Sequence, residues 1–180
     1  MQILLLPSIL LAIAATVGTV AQPTLAPEDI DRLPPAKIEA ALPNAHPATY
    51  YSYAARLFRE GKKDDAVFWF YVGQLRYRVH LKATPSLDPS GDPALFASLN
   101  ATLGKSLNEY AGGDVKMWTA QMDRALQWDR DQPNGFTSKQ KFAADYDAIR
   151  TGLAHLRDEI RSDPERIREQ RRRNGLENRN

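Results

Sequence analysis

The chain contains no cysteine, which excludes disulfides, cysteine-ligated zinc, thiol nucleophiles and a lipidated cysteine anchor. A strong charge of either sign is also missing. The 24 basic residues face 22 acidic ones, a net charge of +2, too small an excess to argue for a nucleic-acid binder. No G-x-S-x-G and no glycine-rich phosphate loop occurs, and the one S-x-x-K, Ser138 to Lys141, comes without the S-D-N and K-T-G that accompany it in serine acyl-transfer enzymes, so the signatures of nucleophilic serine chemistry and of nucleotide binding are missing. No stretch alternates apolar and polar residues over a useful length, so nothing signals a strand. What remains can fold. Hydrophobic residues make up 43% of 180 and charged residues 26%, enough to bury one core in one domain.

Residues 3–21, ILLLPSILLAIAATVGTVA, carry no charge. Thr19 and Ala21 fit the small positions before a signal-peptidase cut, so residues 1–21 read as a signal peptide and Gln22 as the start of the mature chain. The alternative is an uncleaved inner-membrane anchor, since about 20 apolar residues span a bilayer. Either places the rest of the chain outside the cytoplasm, and an exported chain without cysteine suits a bacterial periplasm.

Residues 22–47 carry six prolines, from Pro23 to Pro47, which forbids a long helix. A lead-in with short helices near 28–33 and 35–42 is expected, with Ile30, Leu33, Ile38 and Leu42 pinning it to a helical domain at 47–163. In that domain Pro47 suits a first helical position. Tyr50, Tyr53, Ala54, Leu57 and Phe58 then share a helical face, and Gly61 suits a left-handed stop. Residues 63–82 hold VFWFYV, which alone could be a buried strand. Helical spacing on two faces makes the segment instead a central helix packed on both sides. After the loop 83–93, Asp92-Pro93 reads as a cap and first-turn proline for a helix presenting Phe96, Leu99, Leu103, Leu107 and Tyr110. Gly112-Gly113 ends it, and Asp114 caps a successor presenting Val115, Trp118, Met122, Ala125 and Leu126. A last helix is expected from Thr137, with Gln140 completing a capping box. Phe142, Tyr146, Ile149, Leu153, Leu156 and Ile160 form its seam. Asp163-Pro164 breaks it before a polar, arginine-rich tail at 164–180. The fold class is all-α, a compact helical bundle.

The pair of helices over 50–73 resembles a tetratricopeptide or Sel1-like repeat. Ala54, Gly61 and Ala66 stand at the small-residue places of that pattern, Tyr50, Tyr53, Leu57 and Phe70 at its large apolar places, and Gly73 at the later small one. A degraded second copy runs through 99–126, with Gly113, Met122 and Ala125 in matching places. The resemblance implies an antiparallel helix pair at the heart of the bundle and a binding groove, without implying an activity.

The chemistry on offer is sparse. His46, His80 and His155 are far apart, and no two have the spacing that puts metal ligands on one helix face. His155 has Asp158 and Glu159 one turn on, which reads as a solvated face with ordinary charge pairs. His80 reads as a hydrogen-bonded core or boundary group. Asp88 and Asp92 share a loop that falls short of a calcium site. Glu109, Asp114, Asp145 and Asp147 are acid–base types with nothing to bring two of them together. Arg76 and Arg78, flanking Tyr77, read as core-bordering arginines that pair with carboxylates or stack on rings. Residues 157–179 hold eight arginines against six acids, which reads as a solvated, fraying helix.

No catalytic residue, metal ligand or cofactor is therefore expected. The sequence points to an exported helical protein that binds another protein or a peptide, with Arg56, Gln74, Arg78, Asn108 and Glu109 as contact residues. One concrete form is an immunity-type protein that occludes a toxin acting in the periplasm. An envelope scaffold or assembly factor docking through its C-terminal arm is an alternative. A cell-wall hydrolase is another, and it requires two carboxylates, or a histidine with a carboxylate, to converge in a cleft. Nucleic acid is not an expected partner. Membrane contact is expected only through an uncleaved N-terminal segment or the basic tail.

Overall fold

The computed structural model of the protein describes residues 25–179. The apolar run at 3–21, and with it the expected cut after Ala21, lies outside them. The described residues contain helices and no strand: α1 (Asp29–Arg32), α2 (Pro35–Ala41), a 3-10 turn (Leu42–Asn44), α3 (Pro47–Arg59), α4 (Lys63–Ala83), α5 (Asp92–Leu99), α6 (Lys105–Ala111), α7 (Val115–Asp131), α8 (Ala143–Ser162) and α9 (Pro164–Arg173). None of these helices is long and apolar enough to cross a membrane.

The hairpin of α3 and α4 is the core of the molecule. Gly61 joins them at φ +81°, where Lys62 N–H reaches Leu57 O and Gly61 N–H reaches Phe58 O. This is a Schellman stop, which needs a residue without Cβ. From Ala66 to Gly73 every residue of α4 is buried, because α3 lies on one side and α7, α8 and α6 on the others. Each large apolar side chain buried there contributes about 1.5–3 kcal/mol. Gly73 permits the helix crossing: a Cβ on it would sit 2.8 Å from Tyr50 Cβ. Ala54 and Ala66 are both fully buried. The lead-in is pinned as its apolar residues suggest, with Ile30, Ile38 and Leu42 buried.

The described structure differs from the sequence expectation at four places. The helix expected from Asp92 to Tyr110 is interrupted by a π-turn, Asn100–Gly104. There the Asn100 amide donates to Phe96 O at 2.7 Å and its Oδ1 accepts from Gln74 at 3.0 Å, while Gly104 lies against the Phe70 ring. Second, α8 starts at Ala143, not Thr137. Asn134 Oδ1 accepts the Phe136 and Thr137 backbone N–H groups, holding the segment in a turn. The Thr137 hydroxyl, expected to cap the helix, is buried without a hydrogen-bond partner.

Third, Asp92 is not a helix cap. It is the first residue of α5, and Gly91 occupies the cap position. Fourth, the C-terminal segment is not simply a solvated helix. Asp163 caps α9 by accepting from Arg166 N–H at 3.0 Å. Arg171 is buried, donating to Glu109 O at 2.6 Å, Glu177 O at 2.5 Å and Asn178 Oδ1 at 3.2 Å. Gly175, at φ +69°, turns the chain back, and Arg179 N–H donates to Gly113 O at 2.7 Å. Gly112 and Gly113 end α6 as expected, with Gly112 at the C-cap, and they also allow this close approach, since added Cβ atoms would lie 3.1–3.2 Å from Arg171 and Arg179.

A buried charge cluster ties the layers together. Asp129 is fully buried and receives Arg76 Nε at 3.2 Å and Arg150 Nη2 at 2.7 Å. Arg76 also donates to Tyr50 Oη at 2.7 Å and Pro133 O at 2.8 Å, and its guanidinium stacks 4.6 Å from the Trp128 ring. Lys139 donates to the last carbonyls of α7, where a cation is favoured by the helix dipole. Burial pushes the Tyr146 hydroxyl up to about 12.

Candidate functional site

Two features of the described structure offer chemistry: a groove beside α9 and a cluster round Asp92. The groove has a volume of about 650 Å³ and lies between α6, α7, α8 and α9. Trp118, Leu156, Ile160, Ile167 and Leu176 give it an apolar floor, and Lys105, Arg166 and Arg173 outnumber Glu109 and Glu159 on its rim, with Arg171 buried beneath. Leu156 is 40% exposed, one of the few large apolar side chains left in solvent. The seam of α8 thus packs fully at Tyr146, Leu153 and Ile160 and opens at Leu156. A smaller groove of about 220 Å³ between α4 and α8 shares Leu156.

The five expected contact residues do not form one patch. Asn108 and Glu109 line the large groove, and Gln74 and Arg78 the small one. Gln74 hydrogen-bonds Asn100, Arg78 lies over the Phe96 ring at 5.4 Å, and Asn108 accepts from the Tyr71 hydroxyl at 3.0 Å. Arg56 lies elsewhere. It donates to Ile30 O and Leu33 O at 2.8 and 2.7 Å and pairs with Glu60, so it anchors the lead-in. Sequence spacing missed Leu156, Ile160 and Ile167 as groove residues, because an apolar seam reads the same whether or not a partner helix covers it.

The second feature joins residues 46, 77, 80 and 92. Asp92 Oδ2 accepts from His80 Nε2 at 2.9 Å, and Oδ1 faces His46 Nε2 at 3.1 Å and accepts from the Tyr77 hydroxyl at 2.8 Å. Partial burial raises the Asp92 carboxyl, but the hydrogen bonds from His80, Tyr77 and His46 outweigh it and hold the group below its ordinary value. Phe136 packs edge-on against both imidazoles, at 4.8 and 5.0 Å. His46 also caps α3: its Nδ1 accepts Ala48 N–H at 3.1 Å. An Nδ1 that accepts carries no proton, so the neutral ring holds its proton on Nε2 and donates it to Asp92. The cap stabilises α3 by about 1 kcal/mol.

The other acid–base candidates are engaged separately. Asp114 caps α7 through Met117 N–H, Asp145 meets Lys82 at 3.4 Å and Asp147 meets Arg150 at 3.6 Å. Asp158 pairs with Arg157, and His155 joins no metal-ligating group among the described residues. No protein-family model, curated protein or solved structure matches the chain.

Proposed function

We propose that the protein is an exported, non-enzymatic helical module that binds another protein or a peptide in the groove between α6, α8 and α9. The single observation carrying this reading is the apolar floor, with Leu156 left 40% exposed inside a cavity of about 650 Å³. An apolar anchor in a rimmed concavity is the usual centre of a binding surface. Of the rim cations, Arg166 and Arg173 pair with Asp163 and Glu169, but Lys105 has no carboxylate partner among the described residues. An acidic partner fits that rim. The α3–α4 hairpin, with its tetratricopeptide-like small residues, is the scaffold of this reading. An immunity-type role, occluding a toxin in the periplasm, is its most concrete form.

A hydrolase is the second reading, because a histidine and a carboxylate do converge at Asp92. The hydrogen bonding there weighs against it. His46 spends Nδ1 on the α3 cap and Nε2 on Asp92, and although His80 is held to Asp92 through Nε2 alone, no serine or threonine is hydrogen-bonded to either imidazole among the described residues.

A photo-cross-linker at residue 105 on the groove rim, used in periplasmic extract, tests the groove. Capture of one protein that Leu156→Asp and Ile167→Asp both abolish, with the helical spectrum unchanged, supports the reading. Capture indifferent to both substitutions overturns it.

A further inference from the structure

We propose that His46, His80 and Asp92 form a binding site for a divalent transition-metal ion of the zinc type. The three residues come from the start of α3, the end of α4 and the start of α5, and one ligand atom from each lies within 4.8 Å of the others. The edges at Asp92 Oδ2, 3.3 Å from His46 Nε2 and 2.9 Å from His80 Nε2, approach the edge of about 3.3 Å that tetrahedral bonds of about 2.0 Å require. Two imidazoles and a carboxylate suit zinc, copper or nickel better than magnesium or calcium. The fourth position falls to water.

Supporting contacts are in place. The Tyr77 hydroxyl donates to Asp92 Oδ1 at 2.8 Å, as outer-sphere groups orient a ligating carboxylate. The Phe136 ring covers both imidazoles on one side. None of these residues lines the groove beside α9, so the proposal stands apart from the binding function.

Without metal the same atoms form the hydrogen-bonded cluster described above. Loading the site needs lone pairs on both Nε2 atoms, so each neutral ring moves its proton from Nε2 to Nδ1. At His46 that proton meets Ala48 N–H, and the α3 cap is lost. Metal binding at this site is thus coupled to release of one defined backbone amide, which binding at any other histidine is not.

Zinc titrated calorimetrically into chelator-stripped protein tests the proposal. One equivalent is expected to bind, raising the melting temperature. Cobalt is expected to give the visible absorption of a four-coordinate ion. The Ala48 amide resonance should shift and its hydrogen exchange quicken. Asp92→Asn and His80→Gln, which keep the size and polarity of the original groups, should each raise the zinc Kd at least about tenfold. His155→Ala should leave it unchanged. Absence of zinc binding by the wild-type chain overturns the proposal. So does binding that survives both Asp92→Asn and His80→Gln, or an Ala48 amide that does not respond.

Discussion

The guanidinium of Arg171 rests against the backbone of Gly112, so closely that a methyl group on the glycine would meet Nη1 at 3.1 Å. Three neutral acceptors hold the cation: two carbonyls and the Asn178 amide oxygen. Each such charge-assisted bond contributes about 1.5–3 kcal/mol before desolvation is subtracted. Arg171→Met keeps the bulk and removes all three. Residues 164–179 should then open more easily by about 1–3 kcal/mol, read as faster amide exchange there, with α3 and α4 unaffected.

Gly73 and Gly152 should respond oppositely to the same change. A Cβ at Gly73 meets Tyr50 Cβ at 2.8 Å and the Tyr51 ring at 3.2 Å, whereas one at Gly152 meets nothing within 4 Å. Gly73→Ala should destabilise the protein by about 1–3 kcal/mol. Gly152→Ala, inside α8, should stabilise it by up to about 1 kcal/mol. Urea midpoints with unchanged slopes decide both.

Removing the charge of Asp129 should do more damage than either. Arg76 is 1% exposed and Asp129 not at all, so Asp129→Asn leaves the buried Arg76 without a carboxylate and Arg150 with only Asp147. A loss of about 3–5 kcal/mol is expected, measured by thermal or urea unfolding.

Acid should weaken the α7–α8 contact through Asp123. Partial burial raises its carboxyl, but hydrogen bonds from Arg161 and Arg157 prevail and hold it below the ordinary carboxylate value. A lowered folded-state pKa means that the unfolded chain takes up the proton first. The contribution is complete above about pH 3.9, the unfolded value, and is lost as pH falls through the folded one. Asp123→Asn should flatten the acid limb of stability against pH, and the wild-type slope should shrink in high salt because the pair is partly exposed.

Local signals made much of this fold legible. Gly61, Asp114 and Asp163-Pro164 mark helix ends by their own chemistry, and the two-faced periodicity of 63–82 places α4 at the centre. The misreadings share a cause. Thr137 and Gln140 match a capping box, but Asn134 binds the Thr137 backbone first. Asp92 looks like a cap because His46 and His80 are distant in sequence. In each case a long-range partner claims a group whose neighbours imply another role. Both candidate sites depend on such partners: Leu156 is a seam residue until α9 leaves it uncovered, and His46 meets His80 only once α3 folds against α4.

The protein's three tryptophans are unequally placed. Trp69 and Trp128 meet edge to face at 5.2 Å at the side of the core beside Arg76. Trp118 forms part of the groove wall, with its indole N–H on the Tyr71 hydroxyl at 2.7 Å. Exchanging the inner two for phenylalanine would leave one native emitter on that wall. Its colour would then report when an occupant drives water from the groove, with no added dye.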